Sequence, residues 1–440
     1  MNTITKIDQF HQQTFFVLLF AFLVALPCTT PDFFNITPLI TALFIINELV
    51  FLFLNIKTKT VKKAYQHLEG KTILRKTIPF LLFYLVYLYG ILISDVYLFD
   101  NLVQKLPYVI MPIVFAIQKT DVLSAKKIKI LIWTLTVSCL ISLFILIGHA
   151  FVMEKQHFDL SHYYYSNLSW HYHPTYISMI HLISIILLIY NCIKNNWNII
   201  SQILTIFVTI FLFGGIVLLF SRSTILATIL TFAIYFIYLL FRSPRQILLY
   251  IKILAVPILC AVLMLWFMPK QTNRFVATKD IIKEEVEYKK NTHAANTYTP
   301  KYYDTRMQAW HVYSILGQEA FPKGIGIVGI NEKGAALAKD MGYTRPYENK
   351  LNAHNQYLEI FTGMGLLGIL IFGLLIFELT YSGFKYKNIQ FLLFLFICLF
   401  SFCFEAILER QIGIMFFVFF CSFLQIPYFY QNRQINDKHM

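Results

Sequence analysis

About a dozen stretches of this chain run for the width of a bilayer with hardly a charge in them, and that pattern leaves few folds open. Roughly 20 apolar residues in a helix cover the ~30 Å of a hydrocarbon core, with about 17 to 25 as the workable range. The runs fall near 14–30, 33–54, 78–94, 101–118, 128–152, 174–193, 198–220, 223–241, 248–268, 355–380, 389–406 and 411–430. The expected fold is therefore an all-α polytopic membrane protein with about 12 transmembrane helices. Composition agrees, since 58% of the 440 residues are hydrophobic and only 14% are charged, which is not the balance of a soluble domain. The first run reads as a retained span. Its leader Met1 to Gln13 is weakly basic, and Pro27-Cys28 makes a poor cleavage or lipid-attachment site.

Lysine and arginine set the expected orientation, because short loops rich in them stay in the cytoplasm. With the N-terminus inside, Lys57, Lys59, Lys62, Lys63, Lys71, Arg75 and Lys76 fall in one inner loop. Lys119, Lys126, Lys127 and Lys129 fall in the next, then Arg242 and Arg245, then Lys385 and Lys387. The short outer loops hold little beyond Asp95, Asp100, Lys155, Arg222 and Arg410. This divides the chain into spans 1–9 over residues 1–268, a large outer loop over 269–353, and spans 10–12 with a short cytoplasmic tail over 354–440. The net charge of +14 is thus mostly a topology signal, and no soluble basic face suggests nucleic acid as a partner. All seven cysteines lie in or at the ends of expected spans, so neither a disulfide framework nor a metal site is indicated.

A solute transporter places carboxylates or histidines near the bilayer midplane. Here the span centres are nearly uncharged. Glu48 and Glu378 sit toward inner ends, while Arg222, Glu359, Glu405, Glu409 and Arg410 gather at outer ends. That distribution puts the chemistry at the outer face, where a lipid-linked head group would lie.

Three polar residues stand out there. Arg222 lies in FSRSTILATIL, in so tight a hairpin that its guanidinium is held at the interface, with Ser221 and Ser223 as neighbouring hydroxyls. The plainer reading is a headgroup anchor. The stretch DTRMQAWHVYSILGQ, 304–318, reads as an amphipathic helix carrying Trp310, with Thr305 and Gln308 spaced as a capping box and Arg306 at the first helical position. A cation there opposes the helix dipole unless an anion is bound, which suggests a phosphate site; the alternative is a pair with Asp304 or Glu319. His354 opens the tenth span beside Asn355 and Tyr357, and histidine is the side chain best poised to accept a proton near neutrality. An interfacial histidine bonded to Asn355 or a backbone carbonyl is its bland alternative.

Two other motifs carry less. GIGIVG at 324–329 matches a dinucleotide-binding glycine pattern, but no strand-turn-helix unit surrounds it. His171 and His173 in SWHYHPTY lack partnering carboxylates or cysteines at metal spacing and read as interfacial, with substrate contact as a minor option.

Taken together, SRST at 221–224, TRMQAWHVY at 305–313 with FPKGIGIVG after it, and HNQYLEIFTGMGLLG at 354–368 resemble the O-antigen ligase and polymerase family. That family includes WaaL-type ligases, Wzy-type polymerases and bacterial protein O-oligosaccharyltransferases. The resemblance implies a GT-C-like membrane fold with one long, partly helical periplasmic loop, and an inner-membrane glycosyltransferase that faces the periplasm. It implies a polyprenyl-pyrophosphate-linked glycan as donor and lipid A core or a growing glycan as acceptor, with no cofactor and no metal. By the same resemblance His354, Arg222 and Arg306 are catalytic, and Ser221, Ser223, Asn355, Tyr357 and Trp310 bind substrate. Many members carry an acid where this chain has Gly363, so no role for that acid transfers. The ligase reading is favoured, with the polymerase and the protein-glycosylating enzyme as alternatives. A lipid-glycan flippase is the reading from another class, and it would need a polar path that the span centres do not supply.

Overall fold

A computed structural model describes residues 3–28, 36–66, 68–94, 99–119, 122–157, 160–163, 165–170, 173–195, 198–219, 221–242 and 305–429. The expected ninth span at 248–268, the stretch DIIKEEVEYKK at 280–290, whose Ile281, Ile282 and Val286 among charges read as an amphipathic segment, and His171 lie outside these residues. No strand occurs among those described. The helices are α1 (Thr3–Cys28), α2 (Thr37–Lys57), α3 (Gly70–Leu92), α4 (Phe99–Lys105), α5 (Pro107–Ala116), α6 (Ala125–His157) and α7 (Pro174–Lys194). They continue with α8 (Ile199–Leu218), α9 (Arg222–Arg242), α10 (Thr305–Glu319), α11 (Ile330–Asp340), α12 (Gln356–Lys385), α13 (Ile389–Phe402) and α14 (Gln411–Phe423), and a few single turns lie between them.

Eight of these, α1, α2, α3, α6, α7, α8, α9 and α12, are long and apolar enough to cross a membrane. Three expected spans come out differently. The run at 101–118 is two short helices, because Pro107 lacks the N–H that would continue the ladder and instead opens α5 at its first position. The runs at 389–406 and 411–430 shrink to helices of 14 and 13 residues. Between them Cys403–Arg410 forms an irregular connection with a 3₁₀ turn at Ile407–Glu409.

At the centre of the bundle stands α7, whose residues from Pro174 to Cys192 are all buried and which packs against α6, α8, α9 and α13. The outer helices keep an apolar belt on the other side, with Phe53, Phe144, Phe207 and Phe377 all more than half exposed. Such a surface is intolerable in water over this area and is what lipid contact requires. The chain is an integral membrane protein by these features.

The described part of the loop, α10, α11 and a turn at Thr344–Glu348, has its own small core of Val312, Tyr313, Ile330, Ala338, Tyr343 and Ala353. It is fastened to the bundle through a break in α12. Gly365 takes φ 61°, ψ −149°, which leaves nearby backbone groups without their helical partners. The loop supplies replacements: Ile325 N–H donates to Thr362 O at 2.9 Å, Gly326 N–H to Gly363 O at 3.0 Å, and Leu366 N–H to Pro322 O at 2.9 Å. Gly324 and Gly326 hold φ of 84° and 86° to make this approach. The glycines of GIGIVG therefore serve loop-to-helix docking. At Gly363 an added Cβ would come within 3.0 Å of the Ile327 side chain, so any side chain there would press on the docked loop.

Candidate active site

The site is organised by the first turn of α12. Asn355 caps that helix, its carboxamide oxygen accepting from Tyr357 N–H at 2.9 Å and Leu358 N–H at 3.1 Å. The same side chain donates its amide to Cys403 O at 3.1 Å, which ties the cap to the connection before α14. Just before the cap, His354 adopts φ 46°, the left-handed region that side chains avoid. Its backbone is held there from both sides. The His354 N–H donates to Asn352 Oδ1 at 3.0 Å, its carbonyl accepts from Trp310 Nε1 at 3.3 Å, and the Glu359 carboxylate accepts from Ala353 N–H at 2.9 Å. Strain sustained by several converging bonds is a mark of functional positions.

The imidazole so aimed meets Glu405. Its Nδ1 lies 3.2 Å from Glu405 Oε2, and the same oxygen has His173 Nε2 and Arg306 Nη2 each at 3.6 Å. Four elements thus converge on one carboxylate: α10 through Arg306, the start of α7 through His173, the entry to α12 through His354, and the Cys403–Arg410 connection itself. Glu405 is nearly buried, with 6% of its side chain exposed. Burial alone would raise its carboxyl, but the hydrogen bond from His354, the charges of His173 and His354 in their protonated forms, and the charge of Arg306 overcome that and draw it down to about 2. Burial moves His173 the other way, lowering it, with Arg306 and Arg410 adding to the effect against the pull of Glu405.

An ionised carboxylate only accepts, so the proton in the His354–Glu405 bond sits on Nδ1. Neutral His354 then carries its lone pair on Nε2. This is the tautomer a general base needs.

The connection that carries Glu405 is itself tightly held. Gln356 Oε1 accepts from Leu408 N–H at 2.6 Å, and the Lys105 ammonium donates to Leu408 O at 2.6 Å while pairing with Glu409 at 3.3 Å. Tyr87 donates its hydroxyl to Glu409 at 3.3 Å.

Of the residues expected from sequence, Arg306 and His354 are brought together on Glu405. Among the described residues Arg306 pairs with a carboxylate 99 positions away in sequence, and Asp304 lies outside them. Arg222 is the first residue of α9 and lies at the same end of the bundle. Beside it Ser221 and Ser223 are buried in a hydroxyl cluster: Ser221 Oγ is 2.9 Å from Thr175 Oγ1 and 3.2 Å from Ser223 Oγ, and it accepts from Thr224 at 2.9 Å. That cluster joins α9 to the first turn of α7, two residues after His173. Trp310 bonds the His354 carbonyl and packs near Phe404. Tyr357 donates to Leu399 O at 3.1 Å, and Asn355 is the helix cap, so in this structure the polar groups of both are engaged by the protein itself.

Sequence reasoning missed Glu405 and His173 as members of the site. The signal for Glu405 was present: an acid between two apolar runs, with Glu409 and Arg410 close behind. What was missing was its distance in sequence from everything it touches.

Residues 207–373 match the family model described as O-antigen ligase. The matched segment contains Arg222, Arg306 and His354, whereas His173 and Glu405 lie outside it. No curated protein matches the chain. Through the segment that runs from α8 into α12, the chain is similar to the O-antigen ligase family.

Proposed function

We propose that the protein transfers a glycan from a polyprenyl-pyrophosphate donor to a hydroxyl acceptor at the outer face of the inner membrane, by direct displacement with inversion and without a metal. The observation that carries this reading is the hold of Glu405 on His354 Nδ1 at 3.2 Å with Arg306 on the same carboxylate oxygen. His354 Nε2 takes the proton of the acceptor hydroxyl as its oxygen bonds to the anomeric carbon. The bond from that carbon to the pyrophosphate oxygen breaks, and the polyprenyl pyrophosphate leaves with the electron pair. A positioned base of this kind contributes on the order of 10² to 10⁴ in rate. Glu405 fixes the tautomer and steadies the imidazolium that forms.

Arg222 and Arg306 are assigned to the departing pyrophosphate. Hydrogen bonds to charged groups are worth roughly 1.5 to 3 kcal/mol each, more where water is excluded. On this reading the Lys- and Arg-rich ends of the helices face the cytoplasm, both termini lie there, and the loop with the His354 cluster faces the periplasm. Lipid A core is the favoured acceptor. A growing glycan or a protein hydroxyl would use the same chemistry.

The test is release of polyprenyl pyrophosphate from a lipid-linked glycan by purified protein, with lipid A core, a second donor molecule or a peptide as acceptor. Transfer to one acceptor that is lost in His354→Ala is the expected result. Full activity in correctly inserted His354→Ala, Arg222→Ala and Arg306→Ala proteins would sink the proposal.

A further inference from the structure

At the end of the bundle away from His354, where α3 begins and α12 ends, two adjoining cavities open between the helices. One, of about 270 Å³, lies among α1, α3, α5 and the residues after α14; the other, of about 220 Å³, lies between α3 and the end of α12. Lys76, Phe80, Tyr386 and Gln425 line both, so they form one two-chambered space.

Its charges do not balance. Arg75 is paired with Glu378 at 3.3 Å and Lys119 with Asp8 at 2.7 Å. Lys71, Lys76 and Lys385 have no carboxylate within ion-pair distance among the described residues, and Glu69 is the one remaining acid in the lining. Lys71, Arg75 and Lys76 also stand in the first two turns of α3, whose first turn holds no acid. Topology alone asks for lysines near this end of the helices. It does not ask for a half-buried lysine turned into a cavity.

The opposite wall is apolar. Phe15, Ile73, Phe80 and Phe115 line the larger chamber, and Pro79 and Leu379 line the smaller. A cationic end joined to an apolar flank suits an amphipathic anion. The volume admits a glycerophosphate head group and leaves acyl chains to the bilayer.

We infer that this cavity binds the phosphodiester head group of an anionic phospholipid, its phosphate held by Lys71, Lys76 and Lys385. A free phosphate shares the recognition chemistry but would have no use for the apolar flank.

Native mass spectrometry of the full-length protein, with retained phosphatidylglycerol compared against phosphatidylcholine and against inorganic phosphate, tests the inference. Phosphatidylglycerol should be retained in preference to phosphatidylcholine. The Lys76→Gln/Lys385→Gln protein should retain it on the order of tenfold less, and Lys76→Arg should keep it. His354→Ala should bind as the unaltered protein does, which separates this site from the proposed transferase chemistry. Equal retention of the two lipids by the unaltered protein, a measurement that needs no variant to fold, would overturn the inference. So would undiminished binding in the double variant, and displacement of the lipid by millimolar phosphate would reassign the site to a soluble anion.

Discussion

Nδ1 of His354 lies 3.2 Å from Oε2 of Glu405, although the two are 51 positions apart and belong to different connections of the bundle. A histidine aimed by a buried carboxylate has a fixed tautomer. Losing the carboxylate should therefore hurt transfer without removing the base. Glu405→Ala is expected to approach the loss expected for His354→Ala, about 10² to 10⁴-fold. Glu405→Gln, which keeps an acceptor but not the charge, should fall between. Single-turnover transfer rates at saturating donor are the measurement, and a Glu405→Ala protein as fast as the unaltered one would remove the carboxylate from the mechanism.

The same carboxylate makes an acid-stability prediction. Folding draws Glu405 down from 4.5 to about 2, so between those values the unfolded chain binds a proton that the native protein does not. The stabilisation from ionised Glu405 is complete above about 4.5 and disappears as pH falls toward 2. Thermal unfolding in detergent at pH 7 and at successively lower pH should show the advantage of the unaltered protein over Glu405→Gln shrinking through that window. A constant or growing difference would contradict the assignment.

What the sequence made legible follows from range. The long apolar runs announce α1, α2, α6 and α12 because a bilayer-length helix is a local pattern, and His354 and Arg306 were visible because each opens a helix. The break at Pro107 was equally local and was passed over because the apolar run continues through it. Glu405 is another matter. Its partners His173, Arg306 and His354 lie 51 or more positions away, and only the folded connection at Cys403–Arg410 assembles them. The docking of the GIGIVG glycines onto the broken turn at Gly365 could not be read from either segment alone.

Lys105 and Glu409 pair beneath that connection, the lysine side chain buried with 3% exposed and the glutamate about a quarter exposed at 26%. Removing one partner strands a charge, which typically costs about 3 to 5 kcal/mol, whereas removing both is often far milder. Lys105→Met and Glu409→Gln should each lower the unfolding midpoint sharply. The double substitution should recover part of the loss, short of the whole because Lys105 also supports the Leu408 carbonyl. Strict additivity in a double-mutant cycle would mean that the two side chains act independently.

Gly365 and Gly373 sit in the same helix and should respond to alanine with opposite signs. At Gly365 the backbone has φ 61°, and an added Cβ would run into the Pro322 carbonyl oxygen that Leu366 N–H needs. Strained backbone of this kind costs about 1 to 3 kcal/mol before any clash is counted. Gly365→Ala should therefore loosen the loop from α12, lowering the unfolding midpoint and speeding proteolysis between α10 and α12. At Gly373 an added Cβ meets nothing within 4 Å. There alanine relieves the entropy of a glycine inside a helix, for a gain of about 0.5 to 1 kcal/mol. Matched midpoints for the two variants would mean that the break at Gly365 does not fasten the loop, and the docking of FPKGIGIVG onto α12 would have to be given up.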